Sequence, residues 1–199
     1  MSVVLIDAGG TNIGSVRYAL GRLGVDARLT SDADVIRDAT RVILPGVGAA
    51  KPGMALLREH GLVELVRTLS QPILGVCLGM QLLFDASDEG DVECLGLLPG
   101  RVRAMQSREG LRVPHMGWNT LDFDASDPLL DGIDAGDYAY FVHGYAAPVT
   151  TDTVASTTHG DTFASVVRNG TRMGAQFHPE RSARAGARLL ENFITKDWS

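Results

Sequence analysis

The chain has 199 residues, 45% of them hydrophobic, enough apolar material to fill a sizeable core in one domain. The 18 Lys and Arg against 24 Asp and Glu give a formal net charge of -6 with no dense basic run, which argues against nucleic acid and against anionic membrane as partners. The 2 cysteines make no disulfide framework, no stretch reaches the roughly 18 apolar residues of a bilayer span, and the opening Val3-Val4-Leu5-Ile6-Asp7 lacks the basic flank of a secretory signal; a cytoplasmic protein is expected, with residues 1–199 as one domain.

In chain order, β-rich runs alternate with helical patterns: a strand over Val3 to Asp7, a helix over Ile13 to Leu23, a strand over Asp26 to Thr30, a helix over Asp34 to Ala39 and a strand over Arg41 to Leu44. Met54 to Leu69 reads as one amphipathic helix whose apolar face carries Leu56, Leu57, Val63, Leu65, Val66 and Leu69. Ile73 to Val76 reads as a fully buried strand, and Leu78 to Phe84 has the Leu, Met and Gln content of a helix. Strands separated by helices predict an α/β fold, with a mostly parallel sheet covered on both faces. After about Gly90 the pieces become strand-like: Arg101 to Met105, Tyr138 to His143, Val154 to Thr158, Phe163 to Arg168 and Met173 to Phe177. They predict an antiparallel extension, and Ser182 begins a closing helix with Leu189, Leu190, Phe193 and Ile194 at helical spacing.

The stretch Gly75-Val76-Cys77-Leu78-Gly79 places a cysteine on the turn between the buried strand and the helix after it. It is the cysteine version of the G-x-S-x-G elbow, in which absent side chains at both glycines let strand and helix close on a sharp corner. A sulfur there sits at a helix N-terminus, where unsatisfied N–H groups favour the attacking thiolate. Pro45-Gly46-Val47-Gly48 closes the third strand, and an oxyanion hole is expected from the N–H of Leu78 and that of Val47. Asp7-Ala8-Gly9-Gly10-Thr11-Asn12-Ile13-Gly14 fits neither G-x-G-x-x-G nor G-x-x-x-x-G-K-[ST] and reads as a glycine turn into a helix.

A thiol nucleophile needs a proton acceptor that titrates near neutrality, and 5 histidines compete: His60, His115, His143, His159 and His178. Gln176-Phe177-His178-Pro179-Glu180 singles out His178, which ends an apolar strand with a carboxylate two positions on. In an extended segment those two side chains share a face, so Glu180 could hold the far ring nitrogen. Neither cysteine has metal-ligand spacing, and no metal or cofactor is expected.

Together Pro45-Gly46-Val47-Gly48, Gly75-Val76-Cys77-Leu78-Gly79-Met80-Gln81 and Phe177-His178-Pro179-Glu180 resemble the class I, triad-type glutamine amidotransferases, in both order and spacing. Val113-Pro114-His115-Met116-Gly117-Trp118-Asn119, Tyr140-Phe141-Val142-His143-Gly144-Tyr145 and Ser87-Asp88-Glu89-Gly90 narrow the likeness to one branch, the glutaminase subunits of imidazole glycerol phosphate synthases. The resemblance implies the three-layer fold of that family. It also implies hydrolysis of L-glutamine to glutamate and ammonia through a thioester, and a heterodimer with a (β/α)8 cyclase subunit that uses the ammonia in histidine biosynthesis. By position, Cys77 resembles the nucleophile, His178 the general acid/base and Glu180 its orienting carboxylate. Gly48, Gln81, Glu89, His143, Gly144 and Tyr145 resemble the glutamine pocket, and Asn12, Trp118 and Asn119 the partner surface. The chain departs from the family pattern at Ala8, Thr11, Gly144 and Ala49 to Pro52. Two alternatives stand beside this reading: the glutaminase subunit of pyridoxal phosphate synthase, and a catalytically silent subunit kept for assembly.

Overall fold

The computed structural model of the chain describes residues 1–7, 13–46 and 48–198. Of the expected site residues, Val47 and Asn12 lie outside the described residues, as do Ala8 and Thr11.

The first half follows the alternation read from the sequence. Strand β1 (Val3–Ile6) leads to α1 (Ile13–Arg22), β2 (Ala27–Thr30), α2 (Ala33–Arg37) and β3 (Arg41–Leu44). Asp32 starts α2 by accepting hydrogen bonds from the N–H groups of Asp34 and Val35, which would otherwise lack partners at a helix start. The single helix expected over Met54 to Leu69 is instead two, α3 (Ala50–Glu59) and α4 (Leu62–Thr68). Gly61 between them takes φ +67, the left-handed conformation that ends a helix, while the apolar periodicity runs on across the break. Strand β4 (Ile73–Val76) follows, then α5 (Leu78–Leu82), which is shorter than expected because Phe84 already begins β5 (Phe84–Ser87).

The second half adds β6 (Val92–Glu93), β7 (Leu98–Ala104), β8 (His115–Thr120), β9 (Tyr138–His143), β10 (Tyr145–Ala146), β11 (Thr153–His159), β12 (Asp161–Asn169), β13 (Arg172–Ala175) and α6 (Ala183–Thr195). Seven strands form the main sheet in the order β11-β12-β13-β4-β3-β1-β2. Its pairs from β13 to β2 are parallel, and β12 and β11 extend it antiparallel, as the change of pattern predicts. A four-stranded sheet, β10-β7-β5-β6, and the β8–β9 ribbon stand beside it.

Both faces of the parallel part are covered, which makes three layers. Val3 and Leu5 of β1 pack with Val16 and Leu20 of α1 and with Leu189 and Phe193 of α6. Val4 and Ile6, one step out of phase, pack on the other side with Ile36 of α2, Leu57 of α3 and Val66 of α4. Among the described residues no helix is long and apolar enough to cross a membrane.

The topology fixes where chemistry can occur. Because β3, β4 and β13 are parallel neighbours, their carboxyl ends lie along one edge, and the segments leaving them at Pro45, Cys77 and Gln176 converge there.

Candidate active site

The elbow is built by close backbone approach. A Cβ on Gly79 would lie 1.7 Å from the Leu44 carbonyl oxygen, and one on Gly75 would lie 2.6 Å from the backbone of Gly79 and Met80. Only glycine lets the start of α5 come this near to β3 and β4. Cys77 itself takes φ +52 and ψ -111, a conformation that costs a non-glycine residue on the order of 1–3 kcal/mol. Its N–H donates to Ala175 O at 2.8 Å, so the corner is tied to β13, the strand that leads to His178.

His178 reaches the sulfur from that strand. Nδ1 of the ring lies 3.0 Å from Glu180 Oε1, and the ring hydrogen-bonds Cys77. The segment between His178 and Glu180 is not extended, as expected from sequence, but turns at once into a 3-10 helix over Pro179–Arg181. Pro179, with φ preset for a turn, directs the chain that way, and the turn rather than strand alternation brings Glu180 under the ring. The loop is braced further: His178 N donates to Tyr140 O at 2.9 Å, and Ser182 Oγ donates to His178 O at 2.7 Å. Gly186 of α6 sits so close that a Cβ there would lie 2.0 Å from Pro179 O.

Burial alone would lower the His178 pKa; hydrogen bonds that the ring donates to Cys77 and Glu180, and the attraction of those groups for its charge, outweigh it and push it up to about 10. The ring is therefore held as the imidazolium beside the Cys77 sulfur. His143 and His115 behave oppositely. Burial, opposed at His143 by its bond to Tyr145 and reinforced by neighbouring histidines, brings His143 down to about 3 and His115 to about 4, so both stay neutral. Cys94 is buried and pushed up to about 11, which leaves it an inert thiol.

A cavity of about 300 Å³ opens over the sulfur and includes Gly48, Gln81, Glu89, His143, Gly144 and Tyr145 in its wall, with Cys77, Leu78 and His178. Pro114 and Val142 also line it and were not anticipated; Val142 O lies 3.8 Å from the Cys77 sulfur. A larger groove of about 730 Å³ lies over α1, but its wall, including Arg17, Tyr18, Arg22 and Asp26, holds no cysteine and no histidine. Chemistry rather than size selects the cavity at Cys77.

Two of the expected partner-facing residues separate. Strand alternation puts Trp118 outward, 52% exposed, beside Met116 at 65% and, on the paired strand, Tyr138 at 60%. Asn119 faces the other way, and its Nδ2 donates to Thr158 O at 3.0 Å and lies 3.3 Å from His115 Nε2.

A family model described as glutamine amidotransferase class-I matches residues 4–196. A protein of Xanthomonas axonopodis pv. citri named imidazole glycerol phosphate synthase subunit HisH is 64% identical over 192 residues, 96% of each chain. One of the same name from Xylella fastidiosa is 58% identical over 195 residues, 98% of each. The crystal structure of a glutamine amidotransferase superposes with a TM-score of 0.76, covering 98% of this chain and 97% of its own, at 22% identity, and so speaks to the fold. With elbow, histidine loop and three-layer sheet all in place, the chain belongs to the class-I glutamine amidotransferases.

Proposed function

We propose that this chain is the glutaminase subunit of an imidazole glycerol phosphate synthase and that Cys77, His178 and Glu180 are its catalytic triad. The observation that carries the triad is the ordered contact from Glu180 through the His178 ring to the Cys77 sulfur, at the floor of a cavity sized for an amino acid. The shared name of relatives 64% and 58% identical over nearly the whole chain supports this synthase over pyridoxal phosphate synthase.

The arrangement around Cys77 supports a thioester route, in which the role of Val47 rests on the sequence alone. The Cys77 thiolate attacks the δ-carboxamide carbon of glutamine, and the oxyanion takes hydrogen bonds from the Leu78 N–H and from the N–H of Val47. The intermediate collapses with cleavage of the C–N bond, and His178 gives its proton to the departing ammonia. Water then attacks the thioester, losing its proton to His178, and the adduct collapses with cleavage of the C–S bond, releasing glutamate and restoring the thiolate beside the imidazolium.

The pocket wall suits a zwitterion. Both hydrogens of Gln81 Nε2 are committed, to Tyr145 O at 2.8 Å and Gln176 Oε1 at 2.9 Å, which leaves Oε1 as the atom with capacity for a ligand's α-ammonium group. The Glu89 carboxylate adds negative charge while its Oε2 accepts from Ala50 N at 2.8 Å. Gly48, His143, Gly144 and Tyr145 complete the enclosure.

The exposed Met116, Trp118 and Tyr138 face is where a (β/α)8 cyclase subunit would dock. It lies on the ribbon whose Val142 and Pro114-flanked end borders the cavity, so ammonia would leave toward that partner.

Cys77→Ser in the two-subunit complex tests the reading. Glutamine-dependent synthesis is expected to fall at least about a thousandfold, while synthesis from added ammonia persists. Equal loss of both activities, or of neither, would overturn it.

A further inference from the structure

Gln176 is fully buried at the end of β13, two residues before His178, and the triad does not use it. Its amide has a forced orientation. Tyr145 O can only accept, so the Gln81 atom 2.8 Å from it is Nε2; that same nitrogen lies 2.9 Å from Gln176, whose facing atom must then be Oε1. The other end of the Gln176 amide, Nε2, is left pointing at the Cys77 sulfur at 3.8 Å. The Tyr145 carbonyl that anchors this order also accepts from His143 Nδ1 at 2.8 Å, so it is itself held from two sides.

We infer that Gln176 is a further catalytic residue of the glutaminase: its side-chain N–H donates to the Cys77 sulfur and supports the negative charge there. The inference rests on Cys77 being the nucleophile. A neutral donor suits the task, because it stabilises the thiolate without taking a proton from it and leaves the His178 proton free for the leaving group. A purely structural glutamine would be satisfied by any buried acceptor. Among the described residues, the partner of this N–H is the reacting atom.

The test is the rate of Cys77 alkylation by iodoacetamide against pH in the full-length chain, read by mass spectrometry so that Cys94 is counted separately. Gln176→Met keeps the volume and removes the donor; Gln176→Glu places a carboxylate beside the sulfur. The alkylation midpoint is expected to rise by about one pH unit in Gln176→Met and further in Gln176→Glu. The kcat for glutamine should fall about tenfold, with KM changed less than about threefold. Midpoints coincident with wild type in variants that melt like wild type would overturn the inference. If neither variant folds, the wild-type chain still decides: the Gln176 side-chain ¹⁵N–H signals must shift at the Cys77 midpoint and lose that shift in Cys77→Ala. Signals that stay fixed would overturn it equally. Labelling of wild-type Cys77 by a glutamine analogue bearing an electrophilic ketone separates the outcomes, since failure there sinks the nucleophile itself and not the role of Gln176 alone.

Discussion

Nδ1 of His115 lies 3.2 Å from Nε2 of His143 in a buried ring-to-ring hydrogen bond whose direction is fixed from one end. Tyr145 O, 2.8 Å from His143 Nδ1, requires a proton there, so His143 Nε2 accepts, His115 Nδ1 donates, and His115 Nε2 accepts from Asn119. Protonating either ring would put two donors face to face. The pair therefore braces the pocket wall only while neutral, and it links that wall to the strand carrying Trp118.

An acid-sensitive stability follows. Both rings have folded pKa values, about 4 and about 3, well below the 6.5 of an unexposed-to-structure histidine. Their contribution is complete above pH 6.5 and is lost as pH falls, because the unfolded chain binds protons that the folded chain refuses. By pH 5 the loss is on the order of 2 kcal/mol per histidine. Urea midpoints at pH 7, 6 and 5 should fall steadily, and the two ring signals should not titrate above pH 5 in NMR. A flat midpoint over this range would refute the neutral pair.

Glu180→Gln keeps an acceptor for His178 Nδ1 and removes a charge. His178 has a raised pKa of about 10, so the imidazolium is present below that value and disappears as pH rises through it. Without the Glu180 charge, the alkaline limb of the pH-rate profile should move down by about one unit or more, and kcat should fall by about 10- to 100-fold. An alkaline limb at the wild-type position would mean that Glu180 does not set the protonation of the ring.

What could be read from the chain alone was whatever the backbone itself demands. Gly75 and Gly79 mark a corner that no side chain fits, so the elbow at Cys77 was legible without coordinates, whereas the turn at Pro179 was read as extended chain because a proline at that place suits either conformation. The break at Gly61 was not, because the apolar spacing of Leu57, Leu62 and Val66 is as consistent with one helix as with two. Strand β8 was missed as an element for a different reason: His115 and Asn119 point inward while Met116 and Trp118 point outward, which inverts the usual apolar-in pattern. The Gln81-Gln176-Cys77 chain joins residues 95 and 99 positions apart, and only the fold brings them together.

Gly79→Ala and Gly170→Ala separate steric need from backbone strain. A Cβ at Gly79 would overlap the Leu44 carbonyl at 1.7 Å, whereas one at Gly170, φ +55, meets nothing within 4 Å. Gly170→Ala should cost about 1 kcal/mol, the strain of a left-handed residue with a side chain. Gly79→Ala should cost more than about 3 kcal/mol and abolish Cys77 labelling, because the elbow cannot close. Similar urea midpoints for the two variants would contradict the elbow geometry.

Trp118 and Tyr138 are exposed aromatics on one face of the β8–β9 ribbon, with the Trp118 ring edge-on to Tyr140 at 5.7 Å. Large apolar side chains left in water beside a cavity mouth cost little to the isolated chain when removed, so Trp118→Ala should change its stability by no more than about 0.5 kcal/mol. Against a docked cyclase barrel the same ring would be a buried anchor, worth about 2 kcal/mol or roughly 30-fold in Kd. Tyr18, 76% exposed on the α1 groove away from the cavity, supplies the control. Calorimetric titration with the barrel subunit should show the loss for Trp118→Ala and Tyr138→Ala and none for Tyr18→Ala. Equal affinities for all three variants and wild type would place the partner on another face and leave the aromatic ribbon without a role in ammonia transfer.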